Sequence, residues 1–132
     1  MAVSPKGAMG LMQIMPETAR WASAEKGETH FYREQLFSPS YNVDLGAWYL
    51  KRLSKRFNSD ITLMLAAYNS GEGRVSRDIN KEGQFQGRRL CAETRAYIQR
   101  VNCLYGTYKE RYKLLSSLYR LNLRISRRIS SS

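Results

Sequence analysis

The chain has 132 residues, 42% of them hydrophobic, which suits one compact domain with a core of its own. Its formal charge is +11, from 22 Lys and Arg against 11 Asp and Glu, so its partners are sought among polyanions: nucleic acid, anionic lipid or a charged wall polymer. Composition excludes a membrane-spanning helix, since no apolar run approaches roughly 20 residues. It also excludes a His/Cys metal cluster, since His30 is the only histidine beside Cys91 and Cys103.

Ser4-Pro5-Lys6-Gly7 reads as a turn. Ala8 to Met15 is small and apolar, a tight element packed on others. Pro16 suits the first position of a helix, with Glu17 near the positive end of its dipole; Gly27 ends it after about Lys26. Residues 28–41 read as a loop punctuated by Pro39. From Asn42 the period is helical, with Val43, Gly46, Ala47, Leu50, Leu53 and Phe57 on one face. Lys51, Arg52, Lys55 and Arg56 lie off that face.

Asp60 is a good N-cap for a helix over Ile61 to Tyr68, which Ser70-Gly71-Glu72-Gly73 stops. Residues 74–90 read as a polar, irregular excursion. A last domain helix begins near Ala92, with a stripe of Ile98, Val101, Tyr105 and Tyr108. Beyond it, Leu114, Leu118, Leu121, Ile125 and Ile129 keep a helical stripe, and Ser130-Ser131-Ser132 is expected to fray. Residues 109–132 hold seven basic groups and one acid. With both cysteines on one helix, their twelve-residue separation is roughly 18 Å, too far for a disulfide, so both are read as free thiols. No alternating strand is evident, and the expected class is all-α, with a domain over 1–108 and a basic amphipathic tail over 109–132.

Three segments concentrate residues suited to a site. They are Gly7-Ala8-Met9-Gly10-Leu11-Met12-Gln13-Ile14-Met15-Pro16-Glu17-Thr18-Ala19, then Ala66-Ala67-Tyr68-Asn69-Ser70-Gly71-Glu72-Gly73-Arg74-Val75, then Glu93-Thr94-Arg95-Ala96-Tyr97. Singly, each has a plainer explanation: a small-residue helix contact, a glycine-capped helix, a helix start with a solvated ion pair. In this order and spacing, with Leu36-Phe37-Ser38-Pro39-Ser40-Tyr41-Asn42-Val43-Asp44-Leu45-Gly46-Ala47-Trp48-Tyr49-Leu50 between them, the stretch from Val3 to Tyr108 resembles the soluble lytic transglycosylases. The resemblance implies a goose-type lysozyme-like helical fold with a glycan-binding cleft. It also implies cleavage of the β-1,4 bond between N-acetylmuramic acid and N-acetylglucosamine in peptidoglycan, with no cofactor or metal.

That chemistry uses one carboxylic acid, raised in pKa by an apolar site, to protonate the leaving oxygen. The carboxylate then takes the proton of the muramyl C6 hydroxyl, which attacks C1 and closes a 1,6-anhydro ring. The resemblance places this glutamate before Met1, outside the chain, so the chain as given is expected to be inactive. Glu17, Glu25, Glu28 and Glu34 do not match the family's catalytic position.

The resemblance implies that Tyr68 and Asn69 support the reacting centre. It further implies that Ser4 touches an N-acetyl group, that Gly10, Gln13 and Met15 floor the cleft, and that Glu93 and Tyr97 contact substrate. A core tyrosine is the plainer reading of Tyr68, and a structural ion pair that of Arg95. The chain departs from the family at Ser76-Arg77-Asp78, where a tryptophan is common, and at Arg89-Leu90-Cys91, where a proline is common.

The tail lies outside the resemblance. It is either a solvated helix packing its Leu/Ile stripe on the domain, or a basic amphipathic helix for anionic membrane or wall polymer; nucleic acid ranks third, because no base-reading motif is visible. The expected partner is the peptidoglycan glycan strand, in the bacterial cell envelope, periplasmic or extracellular, although the chain shows no signal peptide. The alternatives are a non-catalytic peptidoglycan-binding module and a basic membrane- or nucleic-acid-binding protein.

Overall fold

A computed structural model describes residues 2–80, 83–88 and 90–129, with side chains through residue 117. The order is α1 (Pro16–Glu25), a 3-10 turn (Arg33–Phe37), α2 (Pro39–Arg56), α3 (Ile61–Ser70), α4 (Glu72–Arg77) and α5 (Ala92–Ile129). The all-α expectation holds: among the described residues the only β pairings are isolated bridges, Val3 with Met9, Met9 with Ile14 and Ile79 with Phe85.

Most boundaries follow the local signals. Pro16 opens α1 from the first turn, where a missing N–H costs nothing. Gly27, at φ 84°, closes it. Asp60 caps α3 by accepting from the Leu63 N–H at 2.9 Å. Gly71, at φ 93°, ends α3 in a backbone conformation that favours glycine.

Four expectations need correction. The loop over 28–41 contains the 3-10 turn, and α2 starts at Pro39 rather than Asn42, because a proline that punctuates a loop also suits the first helical turn. The excursion after Gly73 opens with α4, whose Val75 is fully buried. The inward face of α2 is Asn42, Leu45, Gly46 and Leu53, whereas Val43 and Ala47 are exposed. Asn42 reads as polar, yet it sits on the buried stripe and rotates it.

The last correction concerns α5. It is one unbroken 38-residue helix, about 57 Å long. Its stripe is buried at Ile98 and half-buried at Val101, but Tyr105 and Tyr108 are exposed. Leu114 is also exposed, so it does not pack on the domain. The side chains of Leu118, Leu121, Ile125 and Ile129, and all of Ser130 to Ser132, lie outside the described part.

Two buried clusters share α2. One joins Met9, Ile14, Ala19, Ala22, Leu36 and Leu45. The other joins Leu53, Phe57, Leu65, Ala66, Ala67, Val75, Leu90 and Ile98. A cleft runs between these lobes, with α2 behind it.

Candidate functional site

The cleft encloses about 660 Å³, within the usual range of small-molecule sites. Its floor is the turn from Met9 to Ile14, closed by reciprocal backbone hydrogen bonds of 2.9 and 3.0 Å between those two residues. The opposite wall comes from the end of α3 and the start of α5.

One residue, Met12, fixes the floor through its backbone. The Met12 N–H donates to Oδ1 of buried Asn42 at 2.7 Å. The Met12 carbonyl accepts from the Tyr68 hydroxyl at 2.9 Å. Each lobe therefore holds one of the two peptide groups that flank Met12. The Met12 side chain rests on Gly46, where an added Cβ would come within 2.8 Å of it. Nδ2 of Asn42 donates to the Met9 and Leu36 carbonyls, both at 3.0 Å, which satisfies a polar group with no exposure.

Tyr68 is the pivot between the lobes. Burial raises the pKa of its hydroxyl well above the usual tyrosine range, so the phenol stays protonated. Its proton is already given to Met12, which leaves the oxygen's lone pairs for an incoming donor. Tyr49 packs against it with ring centroids 5.5 Å apart, and Trp21 meets Tyr49 edge-on at 5.9 Å. Tyr97 completes an aromatic wall, its hydroxyl also raised by burial.

The other expected residues fall as follows. Ser4, Gln13, Met15, Asn69, Glu93 and Tyr97 all line the cleft with Tyr68, although up to 93 positions separate them in sequence. Oγ of Ser4 accepts from the Ala8 N–H at 3.0 Å, leaving its own proton to give. Gln13 sits at φ 49°, a strained region for a residue with a side chain. Its Nε2 donates to the Gly10 carbonyl at 2.8 Å, which leaves Oε1 as its free acceptor. Oδ1 of Asn69 accepts from buried Thr94 at 2.7 Å, which turns the amide N–H groups outward.

Gly10 does not line the cleft. It lies behind the floor at φ 75°, where a Cβ would come within 2.2 Å of Asn42 Nδ2 and 2.5 Å of the Leu36 carbonyl. Its small size serves packing against Asn42. Arg95 donates to the Leu90 carbonyl, a structural contact at the helix start. Sequence reasoning did not assign Asn42, Tyr49 and Thr94 to the site. Buried polar partners carry no distinctive local pattern, and Tyr49 differs in pattern from no other helical aromatic.

Among the described residues, Glu93 is the one carboxylate lining the cleft. It is largely exposed and bonded to Lys6 at 2.7 Å across the cleft mouth. That partner raises the Lys6 pKa, chiefly through the hydrogen bond. Glu93 thus lacks the apolar burial that general-acid work demands. Glu28 is engaged elsewhere, accepting from the Tyr41 hydroxyl at 2.7 Å. Cys91 and Cys103 are both free and exposed, and no metal-binding cluster occurs among the described residues.

Comparison with known proteins bears on the family of the chain. The family described as "Transglycosylase SLT domain" matches residues 1–90. The soluble lytic murein transglycosylase of Salmonella typhimurium is 36% identical over 114 residues, covering 80% of this chain and 18% of that protein. The membrane-bound lytic murein transglycosylase C of Glaesserella parasuis is 41% identical over 90 residues, covering 61% of this chain and 25% of that protein.

Among solved structures, an inactive mutant of lytic transglycosylase Slt from Pseudomonas aeruginosa matches with TM-score 0.63 and 38% identity, over 74% of this chain and 17% of that one. The 70 kDa soluble lytic transglycosylase of Escherichia coli matches with TM-score 0.64 and 34% identity, over the same shares. The chain therefore spans about a fifth of the length of the soluble relatives it matches. The fold, the motifs in register and the family match together show that this chain belongs to the transglycosylase SLT domain family.

Proposed function

We propose that the cleft grips a peptidoglycan glycan strand as part of a lytic transglycosylase domain, and that the described residues lining it do not supply its general acid. The observation that carries both halves is the cleft lining. Tyr49, Tyr68 and Tyr97 offer apolar ring faces with polar edges, suited to sugar rings. Ser4, Gln13 and Asn69 offer a hydroxyl proton, a carbonyl oxygen and amide protons, the complement of N-acetyl and hydroxyl groups. The lining charges are one lysine and one glutamate, paired to each other, so a neutral sugar backbone fits better than a nucleic acid.

Among the described residues, no buried carboxylic acid lines the cleft. Where one is delivered beside Tyr68, its proton can face the glycosidic oxygen while the phenol oxygen accepts from a sugar hydroxyl. The acid then protonates the leaving sugar, and the C6 hydroxyl displaces it with loss of a proton to the same carboxylate. The place of action is the bacterial envelope, periplasmic or extracellular. The basic half of α5 adds a polyanionic partner there.

A sacculus digest tests the reading. The purified chain is expected to co-sediment with sacculi and to release no 1,6-anhydromuramyl products. Release of those products would overturn the absence of an acid, and failure to co-sediment would overturn glycan binding. Glycan binding without cleavage is also the behaviour of a binding module, the second reading, which the exposure of Glu93 favours.

A further inference from the structure

After Val101, α5 leaves the domain. Every residue from Asn102 to Leu115 is exposed, including Leu104, Tyr105, Tyr108, Tyr112, Leu114 and Leu115. At 100° per residue, Leu104, Tyr108, Tyr112 and Leu115 share one side of the helix, with Tyr105 at its edge. Lys109 flanks this side, its ammonium 5.9 Å from the Tyr105 ring centre, and Lys113 lies on the other side beside Glu110. A helix cannot leave such an apolar face in water without cost, at roughly 25 cal/mol per Å².

We propose that this free part of α5 lies along an anionic lipid surface, its Tyr/Leu side in the headgroup layer and its lysines at the phosphates. The inference rests on the polyanionic partner in the reading above and is independent of the glycan cleft. Charge complementarity selects the occupant: residues 109–132 carry seven basic groups against one acid. Tyrosine suits the boundary of an apolar and a wet phase, which a lipid headgroup layer provides.

A second copy of the chain fits less well. Arg111 interrupts the apolar side, and two such tails side by side would repel. Spanning is not an option, because no described helix is long and apolar enough to cross a membrane. The stem of Arg111 can lie along the apolar side while its guanidinium reaches a phosphate.

The test is vesicle flotation of the full chain, with phosphatidylglycerol-rich or pure phosphatidylcholine vesicles, beside the sacculus sedimentation described above. Expected is binding to the anionic vesicles only. A triple variant, Tyr108→Ser, Tyr112→Ser and Leu115→Ser, keeps the charge and all the buried residues. It is expected to lower vesicle binding by roughly tenfold or more while sacculus binding is unchanged. The inference is overturned by binding to both vesicle types alike, by no binding to either, or by a variant that floats like the parent. It is also overturned if the parent forms dimers that the variant does not. Loss of sacculus binding with vesicle binding intact would count against the glycan reading alone.

Discussion

The backbone of Met12 shows how single residues set the cleft. Asn42 holds its N–H and Tyr68 its carbonyl, so the floor is fixed by one partner from each lobe. Asn42→Ala would strand the Met12 N–H and two carbonyls in a dry site. The expected cost is about 2–4 kcal/mol in urea unfolding, and a loss under 1 kcal/mol would mean water replaces the side chain. Seven residues singled out in the sequence, Ser4, Gln13, Met15, Tyr68, Asn69, Glu93 and Tyr97, line one cleft. What holds them was not legible there. Asn42 and Thr94 look like ordinary helix-surface polar residues until the fold buries them. Gly10 was legible as a residue that must be small, but not as one that must be small for Asn42.

Tyr68 also gives the protein a pH dependence with a definite sign. Burial raises the pKa of Tyr68, Tyr49 and Tyr97 in the folded chain above the ordinary value near 10. The unfolded chain therefore releases these protons first, and stability is retained below about pH 10 and lost as pH rises beyond it. The melting temperature should be nearly insensitive to these groups from pH 7 to 9 and fall steeply from pH 10 upward. Tyr68→Phe should make that alkaline fall shallower. An equal slope in the variant would show that Tyr68 does not contribute to it.

At the scale of elements, capping and glycine signals fixed ends well, and starts only where a single reading was open. Asp60 announced α3, and its bond to Leu63 N–H is made. Asp60→Ala should destabilise the chain by about 1 kcal/mol in denaturant unfolding, and no change would make the cap incidental. Pro39 was ambiguous, because proline both breaks loops and opens helices, and α2 took the second use. Six-residue α4 was hidden because its glycine and charges mask one buried anchor, Val75. The course of α5 was hidden for a different reason. Helical periodicity continues past Tyr108 without a break, and nothing local tells a helix that stays on its domain from one that leaves it.

For the whole molecule, the helical class and the family were legible because several motifs match in register over most of the chain. The separation of charge from the cleft was not, since it depends on which helix faces lie outward. The cationic residues Lys51, Arg52, Lys55 and Arg56 line a second depression on the outer side of α2, away from the Tyr68 cleft. That separation makes the central claim testable by location. The direct measurement is a titration of the labelled chain with a soluble peptidoglycan tetrasaccharide, followed by amide chemical shifts. Saturable shifts confined to Met12, Gln13, Asn69, Glu93 and Tyr97 are predicted. Shifts along Lys51 to Arg56 with the cleft silent, or no saturable shift at all, would contradict the assignment of the cleft to glycan.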